Sequence, residues 1–176
     1  VITSTQHLIT EYSFPPLLGE KPTILILGSM PSVQSLKHQQ YYAHPRNAFW
    51  PIMAELFSFS TTLPYLERCS LLAQHHIAVW DVLKACQRKG SLDSNIDTGS
   101  IVVNDFNNFL QRYPSINRLY FNGTKAESLF KQTIPSLSQQ FIAIPTQRLP
   151  STSPAHAAMS FDQKLEAWRQ ILNIKN

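Results

Sequence analysis

The run Thr23-Ile-Leu-Ile-Leu27, ended by Gly28, constrains the fold more than any other stretch of the chain. From Ile24 onward it has no polar–apolar alternation. As a strand it has to be buried on both faces, the condition of a parallel sheet covered by helices on either side. Ile77-Ala-Val-Trp80, ended by Asp81, has the same form. Leu119-Tyr-Phe121 and Phe141-Ile-Ala-Ile144 supply a third and a fourth strand, the last running into Pro145.

Helical spacing fills the intervals. Ile52, Met53, Leu56 and Phe57 recur on one face behind Pro51, which suits a first helical turn and predicts a helix starting and capped near Trp50. Tyr65, Leu66, Cys69 and Leu72 predict a second helix, and Phe106, Phe109 and Leu110 a third. Thr124 and Glu127 have capping-box spacing for a helix running toward Lys131. Ser160 and Gln163 repeat the box before a closing helix whose inner side is Phe161, Leu165, Trp168 and Leu172. The polar stretch Gln87 to Gly99 reads as a long loop. Strands alternating with helices predict a three-layer α/β/α sandwich with a short, mostly parallel central sheet. No repeat or linker divides the 176 residues, so one domain spanning 1–176 is expected, with residues 1–20 as a polar N-terminal arm.

Composition narrows the function classes. No apolar run approaches the roughly 20 residues of a membrane span, and the N-terminal residues lack the pattern of a signal peptide, so a cytoplasmic protein without membrane contact is expected. Cys69 and Cys86 are too few for a four-thiolate cluster and too far apart for a CxxC site, so they are expected as reduced, buried thiols. No metal or organic cofactor is implied. A net charge of +4 and a pI near 9.2 lean toward polyanions through counterion release.

Ligands of open α/β sheets bind beyond the carboxyl ends of the strands, here the loops after Gly28, Asp81 and Pro145. The first holds Gly28-Ser-Met-Pro-Ser32, continued by Tyr41-Tyr-Ala-His-Pro-Arg-Asn-Ala-Phe-Trp50; the last holds Leu149-Pro-Ser-Thr-Ser-Pro-Ala-His-Ala157. Small residues at Gly28, Ser29 and Ser32 let backbone approach a ligand, while Pro31 fixes the turn. Phosphate-binding glycine fingerprints are absent.

These segments resemble the two motifs of the uracil-DNA glycosylase superfamily. The match is closest to its hypoxanthine (deoxyinosine) branch, with G-S-x-P-S followed by Y-Y-x-H-P-x-N-x-F-W, and an S-T-S-P form of the second motif. Trp80-Asp-Val-Leu83, Gly90-Ser-Leu-Asp-Ser94 and Phe121-Asn-Gly-Thr-Lys-Ala126 extend the likeness over roughly residues 22 to 172. The resemblance implies hydrolysis of the N-glycosidic bond of a flipped, deaminated base in double-stranded DNA, by a monomer. No lysine lies at a motif position, so no strand-cleaving Schiff base is expected.

Within that resemblance Met30 departs from the mismatch-specific branch, where an asparagine orients the attacking water; a thioether cannot do so. Ser151 stands where another branch has a histidine. Asn47 is the leading replacement, its amide able to serve water or base; capping the next helix is its plainer role. Tyr42 aligns with the aromatic that stacks on the flipped base, the alternative being a core aromatic. Phe49 and Trp50 are expected as core anchors. His44 is either a base or phosphate contact or a packed loop residue. Asp81 and Asp93 are the acids of these loops that could act as base or steady an oxocarbenium-like sugar, though both also suit turns. Gly28, Ser29 and Met30 complete the base pocket. Ser32, Arg46, Arg148, Ser151, Thr152, Ser153 and His156 are the candidate DNA contacts. A uracil or mixed-specificity glycosylase, and a non-catalytic nucleotide- or nucleic-acid-binding α/β module, remain the alternatives.

Overall fold

Leu25, Ile26 and Leu27 are completely buried, as an apolar run without alternation requires. The computed structural model describes residues 8–172. Its elements in chain order are β1 (Thr10–Tyr12), β2 (Ile24–Gly28), α1 (Val33–His38), α2 (Phe49–Phe57), α3 (Tyr65–Gln74), β3 (Ile77–Asp81), β4 (Leu83–Gln87), β5 (Val102–Val103), α4 (Phe106–Arg112), β6 (Arg118–Asn122), α5 (Thr124–Lys131), α6 (Gln139–Ile142), β7 (Thr146–Leu149) and α7 (Phe161–Trp168). Single 3₁₀ turns include Asp93–Asn95 and Arg169–Leu172.

A four-stranded sheet runs β3-β2-β6-β7, with every neighbouring pair parallel. The register sets Gly28 beside Asp81. Alternate residues of its strands feed two cores. Leu25, Leu27, Ala78, Trp80, Leu119 and Phe121 pack with Phe106, Phe109 and Leu110 of α4 and Leu129 and Phe130 of α5. Ile24, Ile26, Ile77, Val79 and Tyr120 face the other way, onto Phe49, Trp50, Ile52 and Met53 of α2, Leu72 of α3 and Trp168 of α7. The result is the expected three-layer sandwich. Burying each large apolar side chain contributes about 1.5–3 kcal/mol.

The chain leaves β2 toward β3 on one side and returns to place β6 on the other. The carboxyl ends of β2 and β6 therefore meet at a switch in strand order, where α/β sheets form crevices. No helix among the described residues is long and apolar enough to cross a membrane.

Several elements differ from expectation. The fourth parallel strand is Thr146–Leu149, not Phe141–Ile144. Phe141 and Ile144 lie on and just after the short α6, at a spacing of three, and pack on one core. The true strand is an edge strand with mostly exposed or half-buried residues, so it lacks the apolar run that marks central strands. Gln87, the first residue of the expected long loop, ends β4, which pairs with β1 and β5 in a small antiparallel sheet. The arm is thus a sheet edge over Thr10–Tyr12.

The caps also differ. Helix α2 begins at Phe49, with Ala48 as its cap residue and Pro51 in its third position. The first intrahelical bond runs from Ile52 N–H to the Ala48 carbonyl, so proline at the third position forfeits none. Helix α5 is preceded by Gly123 at φ 94°, and Thr124 does not form the predicted capping box. Ser160 and Gln163 do form theirs. Phe161 and Leu172 of the closing segment turn to solvent, whereas Lys164, Trp168 and Ile171 are buried.

Candidate active site

The motif loops converge on one cleft at the carboxyl edge of the parallel sheet. Its lining includes Gly28, Ser29, Met30, Tyr42, Asn47, Asp81, Asp93, Asn122, Ser151, Thr152 and Ser153, and its volume of about 90 Å³ admits several waters. The two motifs are joined directly. Ala48 N–H donates to the Thr152 carbonyl at 2.9 Å, while Asn122 and Thr152 exchange two hydrogen bonds, each of 2.9 Å. Gly123 makes room for the contact: a Cβ there would lie 3.0 Å from Ser151 Cβ.

Asn47 Oδ1 accepts from Phe49 N–H at 2.9 Å, so this residue satisfies the first free N–H of α2. The helix-start role and a place in the cleft coexist in one side chain. Oδ1 is committed to the helix, and Nδ2 is left as the polar end available to a ligand. Tyr42 stacks on Phe49 with ring centroids 4.1 Å apart and planes at 24°. One ring face is thereby occupied. Its φ of 54° puts an aromatic residue in left-handed backbone, a strain of about 1–3 kcal/mol held in place by surrounding structure.

Two carboxyls share the cleft. Asp81 is 3% exposed, and burial, reinforced by Asp93 and opposed by Arg88, pushes it up to about 7. Burial also raises Asp93, whose Oδ1 accepts from Ser29 Oγ at 2.7 Å; that bond, Arg88 and Lys125 pull it back down. Burial raises the Tyr42 phenol as well, with Asp81 adding to the effect. Arg88 is itself buried. Its Nη2 donates to the Pro31 carbonyl of the first motif and to Glu11 Oε2 of β1 at 3.0 Å. The small sheet therefore braces the Gly28–Ser32 turn.

The other candidates divide. Met30 is 7% exposed and packs into one core while lining the cleft. Ser32 caps α1, accepting from Ser35 N–H at 3.1 Å. Thr152 is 1% exposed, and its hydroxyl, N–H and carbonyl are all engaged in joining the loops. Ser151 and Ser153 are half-buried on the rim. His44 lies outside the cleft lining, its Nδ1 accepting from Arg46 N–H at 3.1 Å. Arg46 is exposed nearby. Arg148 projects from β7 and pairs with Glu127 at 3.3 Å, while His156 is half-buried after the second motif. Phe49 and Trp50 are core residues.

Asn122 and Ser91 line the cleft without having been singled out. Asn122 ends β6, so the carboxyl-end rule applied to the third apolar run would have found it. Ser91 accepts from Val33 N–H at 2.9 Å, a long-range contact with no local signal. Among the described residues no three His, Cys, Asp or Glu gather as a metal site. Both cysteines are free thiols, Cys86 buried and Cys69 half-buried.

A parallel sheet whose first and second motif loops close over a cleft with an aromatic wall and paired acids defines a class. The chain belongs to the uracil DNA glycosylase superfamily, whose family model matches residues 15–173. It is similar to a Methanosarcina acetivorans protein named hypoxanthine DNA glycosylase, at 34% identity over 90% of this chain and 95% of that one. A second protein of that name, from Methanosarcina barkeri, is 36% identical over 64% of this chain and 71% of its own length. The solution NMR structure of a Methanosarcina acetivorans protein, solved as a candidate uracil DNA glycosylase, superposes with a TM-score of 0.75 at 31% identity. It covers 94% of this chain and all of that one.

Proposed function

We propose that this chain is a DNA-deoxyinosine glycosylase: it hydrolyses the N-glycosidic bond of a deaminated base in duplex DNA, releasing hypoxanthine and leaving an abasic site. The observation that carries this reading is the union of both motif loops in one cleft, in a chain 34% identical along nearly its full length to a protein of that name. Since the scissile bond lies inside the base stack, the nucleotide has to be flipped out into the cleft.

There Tyr42, which lines the cleft, stacks on the flat base through the ring face opposite Phe49. Asn47 Nδ2 donates to the base or orients the water that attacks C1′. With Oδ1 committed to α2, the donor end is the one turned to chemistry. Asp93, fixed by the hydrogen bond from Ser29, steadies positive charge developing on the sugar. Ser151, Ser153, His156, Arg46 and Arg148 border the path of the phosphates, whereas Thr152 holds the loops together.

Duplexes carrying one deoxyinosine, uracil or xanthine, incubated with the protein and treated with alkali, test the reading. Cleavage at deoxyinosine at least as fast as at uracil is the expected outcome. Uracil release without hypoxanthine release would sink the base assignment, and no release from any duplex would favour a binding module.

A further inference from the structure

Asp81 ends β3 directly beside Gly28, and its Oδ2 is buried with no hydrogen-bond partner among the described residues. Tyr42 Oη is buried in the same condition. A Cβ on residue 28 would lie 2.6 Å from Asp81 Oδ1 and 3.1 Å from Tyr42 Oη, so only glycine lets both groups face the cleft there. Asn104 Nδ2 donates to the Asp81 carbonyl at 2.8 Å, fixing the main chain rather than the carboxyl. An ionised carboxylate without donors is heavily penalised in such a place, whereas a protonated one carries an O–H that lacks an acceptor.

We propose that Asp81 is the acid of the reaction: uncharged on the cleft floor, it hydrogen-bonds N7 of a departing purine and passes its proton there. The inference rests on the glycosylase reading above and adds the acid and the base atom that receives its proton. The C1′–N9 bond breaks with its electron pair going to the base, and a C1′–O bond forms to water. Water's proton goes to Asp93, and Asp81's proton goes to the base. The hypoxanthine leaves neutral, and exchange with solvent restores both carboxyls.

The groups facing Asp81 agree with that division. They are Asp93 from the 3₁₀ turn, Arg88 just after β4, and Tyr41 and Tyr42 from the loop before α2. Both phenols are raised by burial and stay protonated. Below about pH 7 Asp81 thus carries its proton, while the hydrogen bond from Ser29 and the charges of Arg88 and Lys125 pull Asp93 back toward its charged form.

The test is single-turnover release of hypoxanthine from duplex DNA between pH 5.5 and 9. The wild-type rate should fall about tenfold per unit above roughly pH 7, as the acid is lost. Asp81→Asn, isosteric and unable to titrate, should be about a hundredfold slower at pH 6.5 and should lack that alkaline fall. A wild-type rate that climbs through pH 7, or an Asn variant with an unaltered profile, overturns the proposal. The acceptor is checked with 7-deaza-2′-deoxyinosine, which has no N7. There Asp81→Asn should change the rate by less than about threefold, and a loss equal to that on deoxyinosine overturns the N7 assignment. Should the wild type release no hypoxanthine at any pH, the deoxyinosine reading fails, and the proposal fails with it.

Discussion

Replacing Asp81 with asparagine should change how stability depends on pH. The carboxyl is held at about 7 in the folded protein, chiefly by loss of water. Unfolded, it titrates near 3.9. The folded state thus binds the proton more tightly, and the stability this contributes is complete below about pH 4 and lost as pH rises through about 7. About three units at ~1.4 kcal/mol each give roughly 4 kcal/mol at most between pH 4 and pH 8. Asparagine has nearly the same shape and loses nothing over that range. Any packing difference between the two side chains is the same at every pH and cancels from the comparison. Urea unfolding of both proteins at half-unit steps from pH 4 to 8 measures the quantity directly. The stability of wild type relative to variant should fall by roughly 2–4 kcal/mol across the series. Curves parallel to within about 0.5 kcal/mol would refute the buried acid, whatever the enzyme's activity.

Other outcomes follow from the geometry of Asn47 and of the two arginines. Asn47→Ala should cost about 0.5–2 kcal/mol through the bond it makes to Phe49 N–H and about a hundredfold in single-turnover excision. Asn47→Asp keeps that acceptor and should fold normally, so near-wild-type excision by it would show that the amide donor has no catalytic part. Arg46→Ala should reduce the dependence of log affinity for duplex DNA on log salt by about one unit. Arg148→Ala should do so by less, since Arg148 must first leave Glu127; unchanged slopes in both variants would place them outside the interface.

The central strands were legible because burial on both faces leaves a run that only one environment accommodates. Gly28 and Asp81 were found at the strand ends where the register sets them side by side. Strand β7 was not legible. An edge strand half open to solvent needs no apolar run, and the neighbouring Phe141 and Ile144 imitate one while serving a helix turn. Strands β1 and β5 are short, and β4 pairs with them across long separations in the chain, beyond the reach of local pattern. In the site, both motif loops could be read in outline. That Thr152 is spent on Asn122 and Ala48, or that Asn47 faces the helix with one atom and the cleft with the other, depends on distances no spacing encodes. Pro51 misled for a definite reason: the first three helical positions all lack a bonding duty for their N–H, so proline does not tell them apart.

The bracing of Pro31 by Arg88 and Glu11 bears on the order in which the protein assembles. Glu11 and Arg88 lie 77 positions apart, and the guanidinium they bury belongs to neither the parallel sheet nor its helices. Closing so long a loop is slow compared with forming the local strand–helix contacts of the sandwich. Arg88 therefore gains its Glu11 partner only when β1 docks, a step expected to be late in folding. A chain with a finished core and an undocked β1 would pass as native by its helix content while the brace on its first-motif turn lacked Glu11.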